Sequence, residues 1–134
     1  MDKTEKAYLA GIIDGEGTVT LARHHKNQTP SPHITVANSS LPLLKWIKKK
    51  FGGCICRKKT YKAHHRQTYV WGVSYDNALR LLEKIKDYLI IKKPQANLIL
   101  KKYKATTMRT GKYTPKMLKA KMKLVAKIRK LNQR

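Results

Sequence analysis

The chain predicts an α+β fold of αββαββα order, an antiparallel sheet with helices on one face, followed by further C-terminal helices. Three observations carry this. Two pairs of segments alternate apolar and polar residues, and each pair is joined by a polar turn, which marks hairpins rather than parallel strands. Each pair is followed by apolar residues at helical spacing. The 134 residues suffice for one core and not for two. The expectation is one domain over 1–134, with its core at about 4–104 and a basic helical segment over 105–134.

The first helix is expected from Thr4 to Gly15, with Thr4 as N-cap and Glu5 in the first turn. Its second half organises the rest of the chain. Leu9, Ile12 and Ile13 form an apolar face, while Ala10, Gly11 and Gly15 leave almost no side chain between them. Glycine inside a helix costs roughly 0.5–1 kcal/mol relative to alanine, so Gly11 needs a reason, and backbone-close packing against a partner helix is one. Asp14 and Glu16 fall where the helix must end, with Gly15 and Gly17 expected to take the positive φ of a helix terminus.

A strand follows from Thr18 to about His25, with Val19 and Leu21 on one face and Thr18, Thr20 and Ala22 on the other. After a proline-marked loop over 27–32, His33 to Asn38 alternates again with Ile34 and Val36 inward. Ser39 or Ser40 caps a helix that starts near Pro42, carries Leu43, Leu44, Ile47 and Phe51, and stops at Gly52-Gly53. The third strand is expected over Cys54 to Tyr61. Its two cysteines share a buried face, and Ile55, Arg57, Lys59 and Tyr61 lie on the other. Gln67 to Ser74 returns as the fourth strand, with Tyr69, Trp71 and Val73 as its bulky face. Ser74 or Asp76 opens a helix bearing Leu79, Leu82, Ile85 and Leu89, and another runs from Pro94 to about Tyr103. In the tail, Met117, Leu118, Met122, Val125, Ile128 and Leu131 make a near-helical stripe, expected to dock on the body or to graze DNA.

Charge narrows the partners. With 31 Lys and Arg against 7 Asp and Glu, the formal charge is +24, so the chain attracts polyanions and releases counterions on binding them. Nucleic acid is the first candidate and an anionic membrane surface the weaker one. No run approaches the roughly 18 apolar residues of a membrane span, and Met1 to Glu5 lacks a leader's apolar core. An intracellular, non-secreted protein is expected. Cys54 and Cys56 alone make half a zinc site. The expected open face of the sheet holds Thr20, His24, His33, Thr35, Arg57, Lys59, Arg66 and Thr68, beside Lys26, Asn27 and Gln28 of the first loop. A ribbon of such side chains suits the major groove of double-stranded DNA. Among so few acids, two carboxylates between glycines are well placed to hold a divalent cation, Mg²⁺ in particular.

The segment Leu9-Ala10-Gly11-Ile12-Ile13-Asp14-Gly15-Glu16-Gly17 resembles the LAGLIDADG motif of homing endonucleases, with Ile for Leu, Gly for Ala and Glu for the final Asp. Asn38 to Ile47 with Phe51-Gly52-Gly53, and Tyr88 to Leu98, are also similar to that family, so the resemblance spans about residues 5–103. It implies a saddle-shaped sheet and a site-specific DNA endonuclease dependent on Mg²⁺ or Mn²⁺. By the resemblance Glu16 and the Gly15 carbonyl bind metal, Lys92 stabilises charge at the scissile phosphate, Asn38 positions solvent, and Asp14 is structural.

One motif supplies one Glu16, whereas two-metal hydrolysis needs carboxylates from both sides of the scissile bond. A homodimer meeting through Leu9, Ala10, Gly11, Ile13 and Asp14, on a near-palindromic target, is therefore expected. The rival readings are a maturase or regulator that binds DNA or intron RNA without cutting, and a ribosome-associated RNA-binding protein. The placement of Tyr69 and Trp71 on the buried face counts against the second.

Overall fold

The computed structural model describes residues 2–23, 29–58, 67–107 and 113–133. Helix α1 (Lys3–Glu16) leads into strands β1 (Gly17–Ala22) and β2 (Ser31–Asn38), then α2 (Leu41–Phe51). Strands β3 (Cys54–Arg57) and β4 (Tyr69–Ser74) and helix α3 (Tyr75–Ile85) repeat that pattern, and α4 (Lys93–Lys102) and α5 (Pro115–Asn132) complete the chain. Short 3-10 turns occupy Lys86–Tyr88 and Lys104–Thr106. Every strand pair is antiparallel, and the spatial order is β1-β2-β4-β3, so the two hairpins join along β2 and β4. Among the described residues no helix is long and apolar enough to cross a membrane.

Alternation in the strands assigns the two faces. Val19, Leu21, Ile34, Val36, Trp71 and Val73 are buried toward the helices, where Leu9 and Ile13 of α1, Leu44 and Ile47 of α2, and Leu82 and Ile85 of α3 meet them. Burying one such side chain fully is worth about 1.5–3 kcal/mol, so this layer holds the hairpins and helices together. Leu89, expected on α3, stays in the core although the helix ends at Ile85, because the following 3-10 turn carries it back.

Several local expectations are corrected. Helix α1 begins two residues earlier than a Thr4 cap would allow. Asp2 is the N-cap, accepting a hydrogen bond from the Glu5 amide at 2.8 Å while the Glu5 carboxylate reaches back to the Asp2 amide. Ser40 stands at the N-cap of α2, but its side chain makes no capping bond; the Asn38 side chain accepts from the Ser40 amide at 2.7 Å instead.

Gly17 has φ −99°, extended backbone, so positive φ is not its purpose. A Cβ there would stand 2.9 Å from both the Ile13 Cα and the Thr35 carbonyl oxygen, so only glycine lets the helix turn directly into β1. Positive φ is found at Gly52 and Gly53, at +80° and +98°, where α2 turns into β3 and the Trp71 indole donates to the Gly52 carbonyl at 2.8 Å.

The third strand is read one residue out of phase from sequence. Cys54 pairs with Gly72, Ile55 with Trp71, Cys56 with Val70 and Arg57 with Tyr69. Ile55 therefore packs against the core, and the cysteines are exposed on the open face instead of buried. A slip of one residue exchanges the faces of a whole strand. Arg57, expected on the open face, shares the parity of Ile55. Lys58, whose amide donates to the Thr68 carbonyl at 2.8 Å, continues the parity of the cysteines.

The tail docks on the body through a face that shares Val125 and Ile128 with the expected stripe but is otherwise shifted. Leu118 and Leu131 are exposed, and the buried residues of α5 are Lys121, Leu124, Val125 and Ile128. Lys121 is 1% exposed. Its ammonium donates to Thr29 Oγ1 at 2.7 Å and to the Tyr113 hydroxyl at 2.8 Å, and lies 5.1 Å from the ring centres of Tyr103 and Tyr113. Burial raises the Tyr103 phenol above its usual range. At the other end of α5, the Asn132 side chain donates to the Val19 carbonyl, covering the outer edge of β1.

Candidate active site

The site forms where α1 stops. The α1–β1 junction at Gly17 leaves Glu16, the last helical residue, exposed. Asn38, the last residue of β2, donates from Nδ2 to Glu16 Oε2 at 2.6 Å. The orientation of that amide is determined, because Asn38 Oδ1 already accepts from the Ser40 amide. One side chain thus fixes the start of α2 and holds the carboxylate at the end of α1, a charge-assisted contact that restricts the Glu16 rotamer.

Asp14 does separate work. It is buried, and its carboxylate accepts from the Ile90 amide at 2.7 Å and the Lys92 amide at 2.9 Å. These amides belong to the segment that enters α4, whose first turn leaves amides without helical partners. The same contact brings Lys92 back to the motif: its ammonium lies 3.3 Å from the Asp14 carbonyl oxygen, with the residue 6% exposed. Glu16, Asn38 and Lys92, far apart in sequence, are gathered at one helix end by Asp14 and the β1–β2 register.

The residues expected at a helix–helix interface divide differently. Leu9, Ala10 and Ile13 are fully buried against this chain's own core, and Asp14 is buried by its bonds to the 90–92 segment. Only Gly11 of that group is exposed. With 3.6 residues per turn, Ala7, Tyr8, Gly11 and Gly15 share the outward face, and all four are exposed. A Cβ on Gly11 or Gly15 would meet nothing within 4 Å in this chain. Ile90 and Ile91, 82% and 60% exposed, stand on the segment held by Asp14.

On the open face of the sheet, register aligns Thr20 with His33 and Ser74, and Thr18 with Thr35, Gly72 and Cys54. Ser74 Oγ and His33 Nδ1 are 3.4 Å apart. Thr68 falls two residues before Val70 and keeps its parity. His24, Lys26, Asn27, Gln28, Lys59 and Arg66 lie outside the described residues. Among the described residues the middle of this face consists of His33 with hydroxyl, thiol and small side chains, and Lys58 is at its end. Sequence reasoning missed Lys58, Cys54 and Cys56 here, and the Ile55–Trp71 pairing was the signal that would have found them.

The donor set fits a hard divalent cation held in part by other molecules. A single chain offers Glu16, exposed, with the Gly15 carbonyl beside it, and among the described residues no group of three or more His, Cys, Asp or Glu side chains converges on one point. Mg²⁺ commonly takes one or two carboxylates together with water and substrate phosphates.

Residues 3–86 match the family model described as a LAGLIDADG-like domain, and the chain belongs to that family. Its fold is that of the LAGLIDADG homing endonucleases. It is similar to the homing endonuclease I-CvuI in complex with the I-CreI target and Mg, with a TM-score of 0.74 and 24% identity, covering 98% of this chain and 84% of that one. The archaeal intron-encoded I-Vdi141I in complex with DNA gives 0.70 and 21%, covering 100% and 87%. I-GzeII with its DNA target gives 0.62 and 20%, covering 90% of this chain but 43% of that one. A search of curated protein sequences finds no match.

Proposed function

We propose that this chain is a site-specific DNA endonuclease that acts as a homodimer and makes a double-strand break in a long, near-palindromic site by divalent-metal-dependent phosphodiester hydrolysis. The observation that carries the reading is the Glu16–Asn38 pair at the end of α1, next to an outward helix face bare of side chains at Gly11 and Gly15. Two copies packed along that face bring two Glu16 carboxylates together, with Tyr8 and Ile90 available to close the rim. The lengths agree: I-CvuI and I-Vdi141I are about the size of this chain, whereas I-GzeII has room for two such units.

In this reading Glu16 and the Gly15 carbonyl would hold Mg²⁺ or Mn²⁺, which would supply charge neutralisation at the scissile phosphate and activation of water. Asn38 keeps the carboxylate in one orientation. Lys92 places a cation beside the phosphate oxygens, where negative charge grows in the transition state. Thr20, His33, Thr35 and Thr68 face the bases, Lys58 and Arg57 meet phosphates from the end of β3, and His24, Lys26, Asn27, Gln28, Lys59 and Arg66, outside the described residues, are further DNA contacts of this reading. The excess positive charge supplies salt-dependent affinity.

The test is cleavage of a randomised duplex library with Mg²⁺, beside Glu16→Gln and beside Ca²⁺. One enriched near-palindromic site cut by the native protein and spared by the mutant supports the enzyme. Enrichment of a bound site that neither protein cuts leaves a DNA-binding relative of the maturase kind.

A further inference from the structure

The open face of the sheet carries two groups that the proposed hydrolysis leaves unused. Cys54 and Cys56 are free thiols, both exposed. They stand two residues apart on β3 and so point to the same side, Cys54 across from Gly72 and Cys56 across from Val70. With His33, Thr35, Val70 and Gly72 they line a depression of about 390 Å³. Gly72 has no side chain, so nothing on the neighbouring strand shields Cys54. Ser74, Tyr75 and Asn77 also line the depression, and both thiols open into it.

We propose that Cys54 and Cys56 are a covalent modification site, at which a disulfide of a small acidic thiol of the glutathione class blocks DNA binding. The inference rests on the reading of this face as the DNA surface. A cysteine thiolate attacks one sulfur of the disulfide, forming the mixed disulfide and breaking the original S–S bond. The second sulfur leaves with the bonding electron pair and takes up the proton the cysteine released. Closure between the two cysteines does not compete well. Residues i and i+2 of a strand are about 6.6 Å apart at Cα with parallel Cβ directions, the far end of the disulfide span. The adduct therefore persists until another thiol removes it. It places carboxylates and a peptide's bulk on the floor of a face that must otherwise approach a polyanion.

The experiment treats the full chain with glutathione disulfide, locates adducts by peptide mass spectrometry, and measures affinity for a duplex selected by the protein. The expected result is adduct at Cys54, Cys56 or both, a fall in affinity of about tenfold or more, and recovery with dithiothreitol. The double variant C54S/C56S, whatever its own affinity, should keep a treated-to-untreated ratio near one. Bound duplex should slow alkylation of both thiols by iodoacetamide. Two results overturn the proposal while leaving the endonuclease reading intact: no adduct on the folded protein, or adduct with unchanged affinity. An untreated protein that selects and binds no duplex defeats the DNA reading itself, and this proposal with it.

Discussion

Replacing Asp14 with Asn removes one oxygen acceptor from a buried carboxylate that serves two backbone amides, those of Ile90 and Lys92. Asn can still accept from one of them, while its NH₂ group faces the other donor. The loss is one charge-assisted hydrogen bond, about 1.5–3 kcal/mol, together with one buried amide left without an acceptor, about 1–3 kcal/mol. Because the terms overlap, the expected destabilisation is about 3–4 kcal/mol, a large share of the roughly 5–15 kcal/mol that holds a domain. With a urea slope of about 2 kcal/mol per M, the midpoint should fall by about 1.5–2 M at fixed protein concentration. Amide exchange at Ile90 and Lys92 should accelerate more than exchange in β2. Cleavage, measured under conditions where the variant is folded, should also drop, because Lys92 reaches the motif through this segment. A midpoint within about 0.3 M of the native protein, or unchanged exchange at both amides, would refute the view that Asp14 clamps α1 to the segment entering α4.

Further outcomes follow from the same geometry. Asn38→Ala should lower cleavage about 10–100-fold with little change in duplex affinity, since it frees Glu16 without touching the open face of the sheet; single-turnover rates and binding isotherms separate the two. Gly17→Ala should destabilise by about 1–3 kcal/mol, because its Cβ meets backbone of both α1 and β2, and urea melts would show it. Lys121→Ala should loosen α5 at a cost of about 2–4 kcal/mol, and Lys121→Met should recover much of that through the buried stem, read by unfolding and by limited proteolysis. Chelation with EDTA should stop cleavage while leaving the unfolding curve in place, because among the described residues no cluster of metal ligands supports the fold.

The element order and most of the core were legible because strand and helix periods differ. Val19, Leu21, Ile34, Val36, Trp71 and Val73 alternate, Leu44 and Ile47 recur at helical spacing, and their burial follows. Strand β3 was legible as a strand, but not which of its faces is buried, because four residues with two cysteines, one isoleucine and one arginine give no strong alternation. Its phase is set by pairing Ile55 with Trp71 on β4. The helix α5 was half legible: Val125 and Ile128 mark it, but a lysine in a stripe of methionines and leucines reads as solvated. Among the described residues, the hydroxyls of Thr29 and Tyr113 and two aromatic rings account for its burial.

By itself the sequence determined the family motif, the antiparallel α+β order, the excess of positive charge and the identity of the residues that gather at the end of α1. Local spacing and composition suffice for the order and the charge, whereas Asn38 and Lys92 were reached through the family resemblance. The tertiary structure decided which faces those residues occupy. Leu9, Ala10 and Ile13 turn inward and leave Gly11 and Gly15 as the open face of the helix, and the cysteines turn outward onto the open face of the sheet. It also made Asp14 the clamp that delivers Lys92 to Glu16's end of the helix. Those assignments depend on which strand and which loop pack against each residue, contacts between segments far apart in the chain that no local pattern encodes.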